Sequence, residues 1–94
     1  MVMKKLVVIA YDIEKDRRRN KVSKLLEEIG TRKNYSVFEC FISTHKLNEI
    51  QEIIVKIINK KTDTVLYYEI CRACAEKITY QGIIKQDFSV AIVV

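Results

Sequence analysis

Apolar residues along this chain follow two periodicities, one typical of buried strands and one typical of amphipathic helices. Residues 6–10 are continuously apolar, which favours a central strand with both faces covered. After it, four apolar residues recur at helical spacing: Val22, Leu25, Leu26 and Ile29. With Asp16 as the N-cap and Gly30 at the C-cap, this spacing predicts a first helix from about Arg17 to Ile29.

The middle of the chain predicts further strands and a second helix. Residues 32–43 are rich in aromatic and β-branched residues and predict either one long strand or a hairpin broken near Tyr35 and Ser36. A second helix follows, capped by Thr44, because one apolar stripe recurs at helical spacing: Leu47, Ile50, Ile54, Ile57 and Ile58. Residues 63–70 predict another strand.

This order of elements predicts an α+β fold of βαββαβ type, with two helices on one face of the sheet. An additional C-terminal strand is predicted over about residues 87–94, and it is flat and apolar. Left as an open edge it would promote aggregation, so it either folds back onto its own sheet or pairs with a second subunit. We favour the dimer, because a sheet covered by helices on one face needs a partner for the other.

Length and composition predict one folded domain over residues 1–94. The chain has no Pro and only two Gly, so no stretch of it resembles a linker. No apolar run approaches the roughly 20 residues that cross a bilayer, and the N-terminus lacks the pattern of a signal peptide. We therefore expect a cytoplasmic protein that does not associate with membranes.

The net charge of the chain indicates what kind of partner it binds. Lys and Arg number 17 against 12 Asp and Glu, giving a net charge of +5, which favours a polyanionic partner such as nucleic acid.

The cysteines are Cys40, Cys71 and Cys74, an odd number that argues against a disulfide framework. Cys71 and Cys74 have the spacing of half a zinc site, but the chain offers no second pair, so plain thiols are the simpler interpretation.

Candidate chemistry is concentrated where the first strand leads into the first helix. Asp12 follows the buried strand, and Arg17, Arg18 and Arg19 occupy the first helical turn, where free N–H groups and guanidinium groups suit a phosphate. A turn-capping role for Asp12 and a solvated charge run are the alternatives. Because no Gly-rich phosphate loop, Ser-His-Asp set or HExxH motif is present, an enzyme of this sequence would rely on metal-assisted hydrolysis, with one carboxylate per subunit.

Aromatic residues accompany the basic ones and offer a second kind of contact. They are Tyr11, Tyr35, Phe38 and Phe41. Such rings either stack on bases or belong to the core, and we expect a core position for Phe41.

Several segments together resemble one known family. An apolar strand runs into Tyr11-Asp12-Ile13, a basic run follows, and Tyr35-Ser36-Val37-Phe38 comes at a characteristic distance. With the later Asp63, the Tyr67-Tyr68 pair and the two C-terminal cysteines, the chain resembles over nearly its whole length the Cas-two family, the smaller of the two core CRISPR spacer-acquisition proteins.

The resemblance implies a ferredoxin-like fold and a homodimer whose C-terminal strands cross to the partner's sheet. It implies that Asp12 of each subunit faces the other across the interface and holds Mg²⁺ or Mn²⁺ as metal ligand and catalytic residue. Family members are described as metal-dependent endonucleases on single-stranded RNA or on double-stranded DNA. By position, the residues that match those implicated in nuclease activity are Tyr11, Asp12, Arg19, Arg32 and Phe38. Lys21 stands where some members have Arg. Arg17 is expected to contact phosphate because of its place in the first helical turn, beside Arg19.

The family resemblance also implies an alternative function. Members are described as the non-catalytic bridge of the integrase complex, clamping DNA between two integrase dimers, and an integrase subunit is then a partner. A region around Gln86 to Val94 is the expected contact surface. A third possibility, from the residues alone, is a regulatory domain that binds a small anion at the arginine turn.

Overall fold

The structure, a computed structural model, describes residues 3–79 and 81–82. Its elements are, in chain order, β1 (Lys4–Asp12), α1 (Asp16–Glu27), β2 (Gly30–Asn34), β3 (Val37–Ser43), α2 (Thr44–Ile57), β4 (Thr64–Ile70) and the short α3 (Arg72–Ala75). The strands form one antiparallel sheet in the order β2-β3-β1-β4. This arrangement is ferredoxin-like and confirms the predicted βαββαβ order. The strand predicted over residues 87–94 lies outside the described residues.

Strand alternation directs one face of the sheet toward α1 and α2. In the centre of the sheet, Ile9 of β1 is paired with Phe38 of β3 on one side and with Tyr67 of β4 on the other. Because successive strand residues point to opposite faces, every second residue of β1 and β3 enters the core. The buried cluster consists of Val7, Ile9, Tyr11, Ile13, Val22, Leu26, Phe38, Cys40, Ile42, Leu47, Ile50 and Ile54.

Helix α1 begins one residue earlier than predicted and ends earlier as well. Lys15 is its N-cap and makes no side-chain capping bond, so the prediction of Asp16 as N-cap is wrong. The Asp16 carboxylate instead accepts a hydrogen bond from Arg19 Nη1 at 2.6 Å. The helix ends at Glu27, before the predicted Ile29.

Gly30 is not the C-cap of α1 but the first residue of β2. A Cβ atom built there would lie 2.5 Å from the carbonyl oxygen of Glu39 and 2.6 Å from Sγ of Cys40. Glycine is therefore needed because β3 approaches closely, whereas the helix end needs no left-handed residue.

The middle segment resolves as a hairpin, with β2 and β3 joined by a turn at Tyr35 and Ser36. The N-cap of α2 is Ser43, whose Oγ accepts a hydrogen bond from the Lys46 N–H at 3.1 Å. The prediction of Thr44 as the cap was thus wrong by one residue, because two adjacent hydroxyl residues are both chemically able to cap.

The face of the sheet opposite α1 and α2 is only partly covered. Helix α3 packs against β1 there and buries Ala75 to 5% exposure. Leu66 and Tyr68 of β4 remain 48% and 52% exposed on the same face. Within the described part of the chain, β4 is also an edge strand. Among the described residues, no helix is long and apolar enough to cross a membrane.

Candidate functional site

Asp12 is the last residue of β1, and its carboxylate is exposed. Within residues 3–79 and 81–82 it forms no hydrogen bond and no ion pair. It opens into a depression of about 350 Å³ lined by Tyr11, Asp12, Ile13, Arg19, Tyr35 and Ser36. A carboxylate free of protein partners in a concave surface is able to bind a cation.

Arg19 brings a fixed positive charge into the same depression. Its Nε and Nη2 atoms each donate to the Ile13 carbonyl at 3.3 Å, and Nη2 also lies 3.4 Å from the Glu14 carbonyl. Its ion pair with Asp16 is the main cause that raises the Arg19 pKa above its ordinary value. The side chain stays 25% exposed, so it holds the β1–α1 loop and still faces solvent.

The other two basic residues predicted on α1 differ in their placement. Arg17 lies exposed in the first turn and has no ion-pair partner among the described residues, so its guanidinium is open to a ligand. Lys21 is one turn further along and lines a separate groove of about 610 Å³ between α1 and α2, beside Ile53 and Ile57. The structure therefore does not bring Lys21 into the depression.

Phe38 and Tyr11 both belong to the core, and Tyr11 also lines the depression. Phe38 is 0% exposed and Tyr11 is 6% exposed, and their stacked rings have centroids 6.3 Å apart. Neither ring presents a face to solvent on which a base could stack. Arg32 covers Phe38 with its Cζ 4.7 Å from the ring centroid, so these residues support the site from below.

Arg32 uses its donors inside the protein. Nη1 donates to the Tyr35 carbonyl at 2.6 Å, and Nη2 donates to Ser23 Oγ and, at 3.1 Å, to the Glu27 carboxylate. These bonds connect the β2–β3 turn to α1. Arg32 thereby fixes one wall of the depression, and 34% of its side chain remains exposed.

Tyr35 was not among the site residues assigned from the sequence, although it stands at the rim of the depression. It is 73% exposed, the only tyrosine of this turn, and its N–H is held by Asn34 Oδ1 at 2.7 Å. An asparagine side chain that bonds the next backbone groups is a common turn signal. The sequence left one long strand and a hairpin broken near Tyr35 as alternatives, and Asn34 is the signal that favours the hairpin.

One chain supplies few ligands for a metal ion. Among the described residues, no three His, Cys, Asp or Glu side chains come together. Cys71 and Cys74 are both exposed, and the Cys74 N–H lies 3.4 Å from Cys71 Sγ. The donor set at the depression is a single carboxylate, which suits a hard divalent cation only if further ligands come from water, substrate or a second chain.

Comparisons with known proteins give a consistent result. The family model described as CRISPR associated protein Cas2 matches residues 3–78. A CRISPR-associated endoribonuclease Cas2 of Synechocystis sp. is 51% identical over 67% of this chain and 68% of its own length. One from Methanospirillum hungatei is 45% identical over 86% of this chain and 90% of its own. A chain in a partial Cas6-RT-Cas1–Cas2 complex superposes with a TM-score of 0.65 at 28% identity, covering 83% of this chain and 90% of that one.

Proposed function

Because the chain belongs to the Cas2 family of CRISPR-associated proteins, we propose that it is a metal-dependent endonuclease acting in spacer acquisition in the cytoplasm. The observation that carries this proposal is the Asp12 carboxylate, which has no partner among the residues that the structure describes and shares one depression with the Arg19 guanidinium. A group able to bind a cation and a group able to bind a phosphate thereby line the same depression, an arrangement that suits metal-assisted phosphodiester hydrolysis. The names of the relatives favour RNA as substrate, and duplex DNA is the other candidate.

Asp12 is one carboxylate ligand for a divalent cation, and a second protein ligand would come from a second chain. In the proposed homodimer, Asp12 of each protomer would hold the same Mg²⁺ or Mn²⁺, because two carboxylates brought close together repel each other unless a cation lies between them or one of them is protonated. A bound cation would neutralise phosphate charge and lower the pKa of a water.

The remaining residues would act on the nucleic acid itself. Arg19 and Arg17 would contact phosphates, since one faces the depression and the other is exposed beside it. Tyr35 offers an exposed ring on which a base would stack. Lys21 would contribute a more distant charge along α1.

Three buried or engaged residues would support the site without touching a base. Phe38 and Tyr11 form the floor under Arg32, and Arg32 fixes the turn that carries Tyr35. Their effect on nucleic-acid binding would therefore be indirect. Because 34% of the Arg32 side chain is exposed, its guanidinium would also be able to contact a phosphate.

The proposed dimer would use the incompletely covered side of the sheet. Leu66 and Tyr68 expose apolar surface next to the β4 edge, and burying such surface favours association. A strand of residues 87–94 from the partner would pair with that edge. The second Asp12 would arrive with the same partner.

A second function is favoured by the complex that contains a structural relative. The chain it resembles belongs to an assembly whose name includes Cas1. The alternative is therefore a non-catalytic DNA-binding adaptor that bridges integrase dimers, in which the Asp12 pair has an architectural role.

The experiment that separates the two functions compares wild type with Asp12→Asn. Purified dimers are assayed on single-stranded RNA and duplex DNA with Mg²⁺, Mn²⁺ or EDTA, and Glu52→Gln serves as a control because Glu52 is an exposed acid on α2. We expect Asp12→Asn to lower cleavage at least about 100-fold while binding and dimer mass persist. Cleavage that survives in Asp12→Asn would point to a contaminating enzyme, and a wild-type dimer that binds DNA without cutting would make the adaptor correct.

A further inference from the structure

Asp63 is a buried carboxylate whose oxygens are surrounded by donors. Its side chain is 0% exposed. Oδ2 accepts from Arg18 Nε at 2.8 Å and from the Asn59 N–H at 2.9 Å. Oδ1 accepts from the Glu14 N–H at 3.1 Å, from Thr62 Oγ1 at 3.0 Å and from Arg18 Nη2 at 3.3 Å.

These bonds connect segments that are distant in sequence. Glu14 belongs to the loop between β1 and α1, and it lies 49 residues from Asp63. Asn59 and Thr62 belong to the turn between α2 and β4. Asp63 therefore ties the loop that follows Asp12 to the turn that precedes β4.

The same loop is held on its other side by Arg19. Asp63 accepts a hydrogen bond from the Glu14 N–H, while Arg19 donates hydrogen bonds to the carbonyls of Ile13 and Glu14. Asp12 itself has no side-chain bond among the described residues, so the only part of its placement that the protein fixes is the backbone position and the direction of the Cα–Cβ bond. In the β1–β4 ladder, moreover, Asp12 is paired with Thr64, the neighbour of Asp63.

We propose that Asp63, with Arg18, is a positioning residue that sets the direction in which Asp12 presents its carboxylate. This inference rests on the proposed role of Asp12. Among the groups around Asp63, only the Thr62 hydroxyl could also accept a hydrogen bond. The other partners are the Arg18 guanidinium and two backbone N–H groups, so each Asp63 oxygen faces groups that can only donate. An amide nitrogen would face at least one of them, so Asp63→Asn would release the loop even though its size is unchanged.

Two variants and one matched control test the proposal in the full-length dimer. Asp63→Asn removes the charge and one acceptor, whereas Arg18→Lys keeps the charge and loses the forked contact. Val22→Ala is the control, since Val22 is a fully buried residue of α1 outside this hydrogen-bond network. Each variant is measured for Tm, for dimer mass, for kcat and KM on RNA with Mn²⁺, and for amide hydrogen exchange.

We expect kcat to fall about 100-fold in Asp63→Asn, as for a reacting group misplaced by about 1 Å, and less in Arg18→Lys. KM should change less than threefold in both. Val22→Ala should lower Tm and leave kcat within threefold at a temperature where all variants are folded. Exchange at the Glu14 amide should rise more than exchange in the core strands. The proposal is wrong if Asp63→Asn is folded and keeps the wild-type kcat. It is also wrong if Val22→Ala lowers kcat as much as Asp63→Asn does.

The same data separate this inference from the proposed function. If wild type shows no metal-dependent cleavage, the nuclease proposal fails, and the exchange of the Glu14 amide then decides. Exchange at the Glu14 amide that rises more than exchange in the core strands, in both Asp63→Asn and Arg18→Lys, would still support the positioning role. A rise at Glu14 no larger than the rise in the core strands would overturn it. If Asp63→Asn does not fold, the result for Arg18→Lys decides alone.

Discussion

The guanidinium of Arg32 lies over the ring of Phe38, with its Cζ 4.7 Å from the ring centroid. The same group bonds Ser23 and Glu27 of α1 and the Tyr35 carbonyl of the turn. The stack orients the planar fork so that it joins a helix to a hairpin, which an ammonium group cannot reproduce. Arg32 is thus a structural element of the depression as well as a source of charge.

Arg32→Lys should therefore destabilise the protein although the charge is kept. We expect a loss of about 1–2 kcal/mol in the free energy of unfolding, from the weakened stack and the lost hydrogen bonds. Urea unfolding followed by circular dichroism measures it. Arg17→Lys is the control, because exposed Arg17 has no partner among the described residues and its replacement should change stability by less than about 0.5 kcal/mol. Equal losses in the two variants would contradict this account of Arg32.

Gly30→Ala should destabilise the β2–β3 pair. The added Cβ would lie 2.5 Å from the Glu39 carbonyl oxygen, so a strand must shift, at a cost of about 1–3 kcal/mol. The combination with Cys40→Ala should not restore stability, because the closest atom belongs to the backbone. A urea midpoint that returns to wild type in the double variant would show that Cys40 Sγ, and not the backbone, is the obstacle.

The three cysteines should differ sharply in reactivity. Burial raises the Cys40 pKa to about 12, whereas the Cys74 N–H stabilises the thiolate of exposed Cys71 and lowers the Cys71 pKa. Because the thiolate is the nucleophile, iodoacetamide at neutral pH should label Cys71 first and Cys40 only after unfolding. Peptide mass spectrometry of timed samples measures this order. Labelling of Cys40 in the folded protein as fast as Cys71 would contradict it.

Acid should weaken the protein through Asp63. The Arg18 hydrogen bond, together with the backbone donors, holds the Asp63 pKa well below its usual range. In the unfolded chain the Asp63 carboxyl has an ordinary pKa of about 3.9. Below this pH the unfolded chain binds a proton at Asp63 while the folded chain does not. The stability that Asp63 contributes is therefore complete above about pH 3.9 and is lost as the pH falls further. Urea midpoints between about pH 3 and 6 should fall more steeply with acid in wild type than in Asp63→Asn. Parallel curves would contradict this assignment.

Local patterns in the sequence were enough to predict the sheet and both long helices. The continuous apolar run at residues 6–10 and the helical stripes correspond to β1, α1 and α2, and the family resemblance is confirmed by the match over residues 3–78. The first and last residues of the helices were harder to predict, because two neighbouring residues can each serve as the cap. Ser43 and Thr44 are both able to cap α2, and a glycine after a helix suits either a C-cap or a close strand contact.

The candidate site was only partly accessible to such patterns. Asp12 and Arg19 lie close in sequence, and the structure places both at one depression. For Phe38 the sequence left base stacking and a core position open, and the family resemblance implied a role in nucleic-acid binding. Strand alternation places its ring in the core, under the Arg32 guanidinium. Asp63 could not be assigned from local pattern, since Glu14 and Arg18 are 49 and 45 residues away from it.

The most direct test of the account is the stoichiometry of Mn²⁺ binding to the purified protein. Titration calorimetry, with electron paramagnetic resonance of free Mn²⁺, is applied to wild type, Asp12→Asn and the Glu52→Gln control. If two Asp12 carboxylates share a cation, wild type and Glu52→Gln should bind one Mn²⁺ per two chains, and Asp12→Asn should bind none at this site. One Mn²⁺ per chain, or binding unchanged in Asp12→Asn, would contradict the shared-carboxylate site.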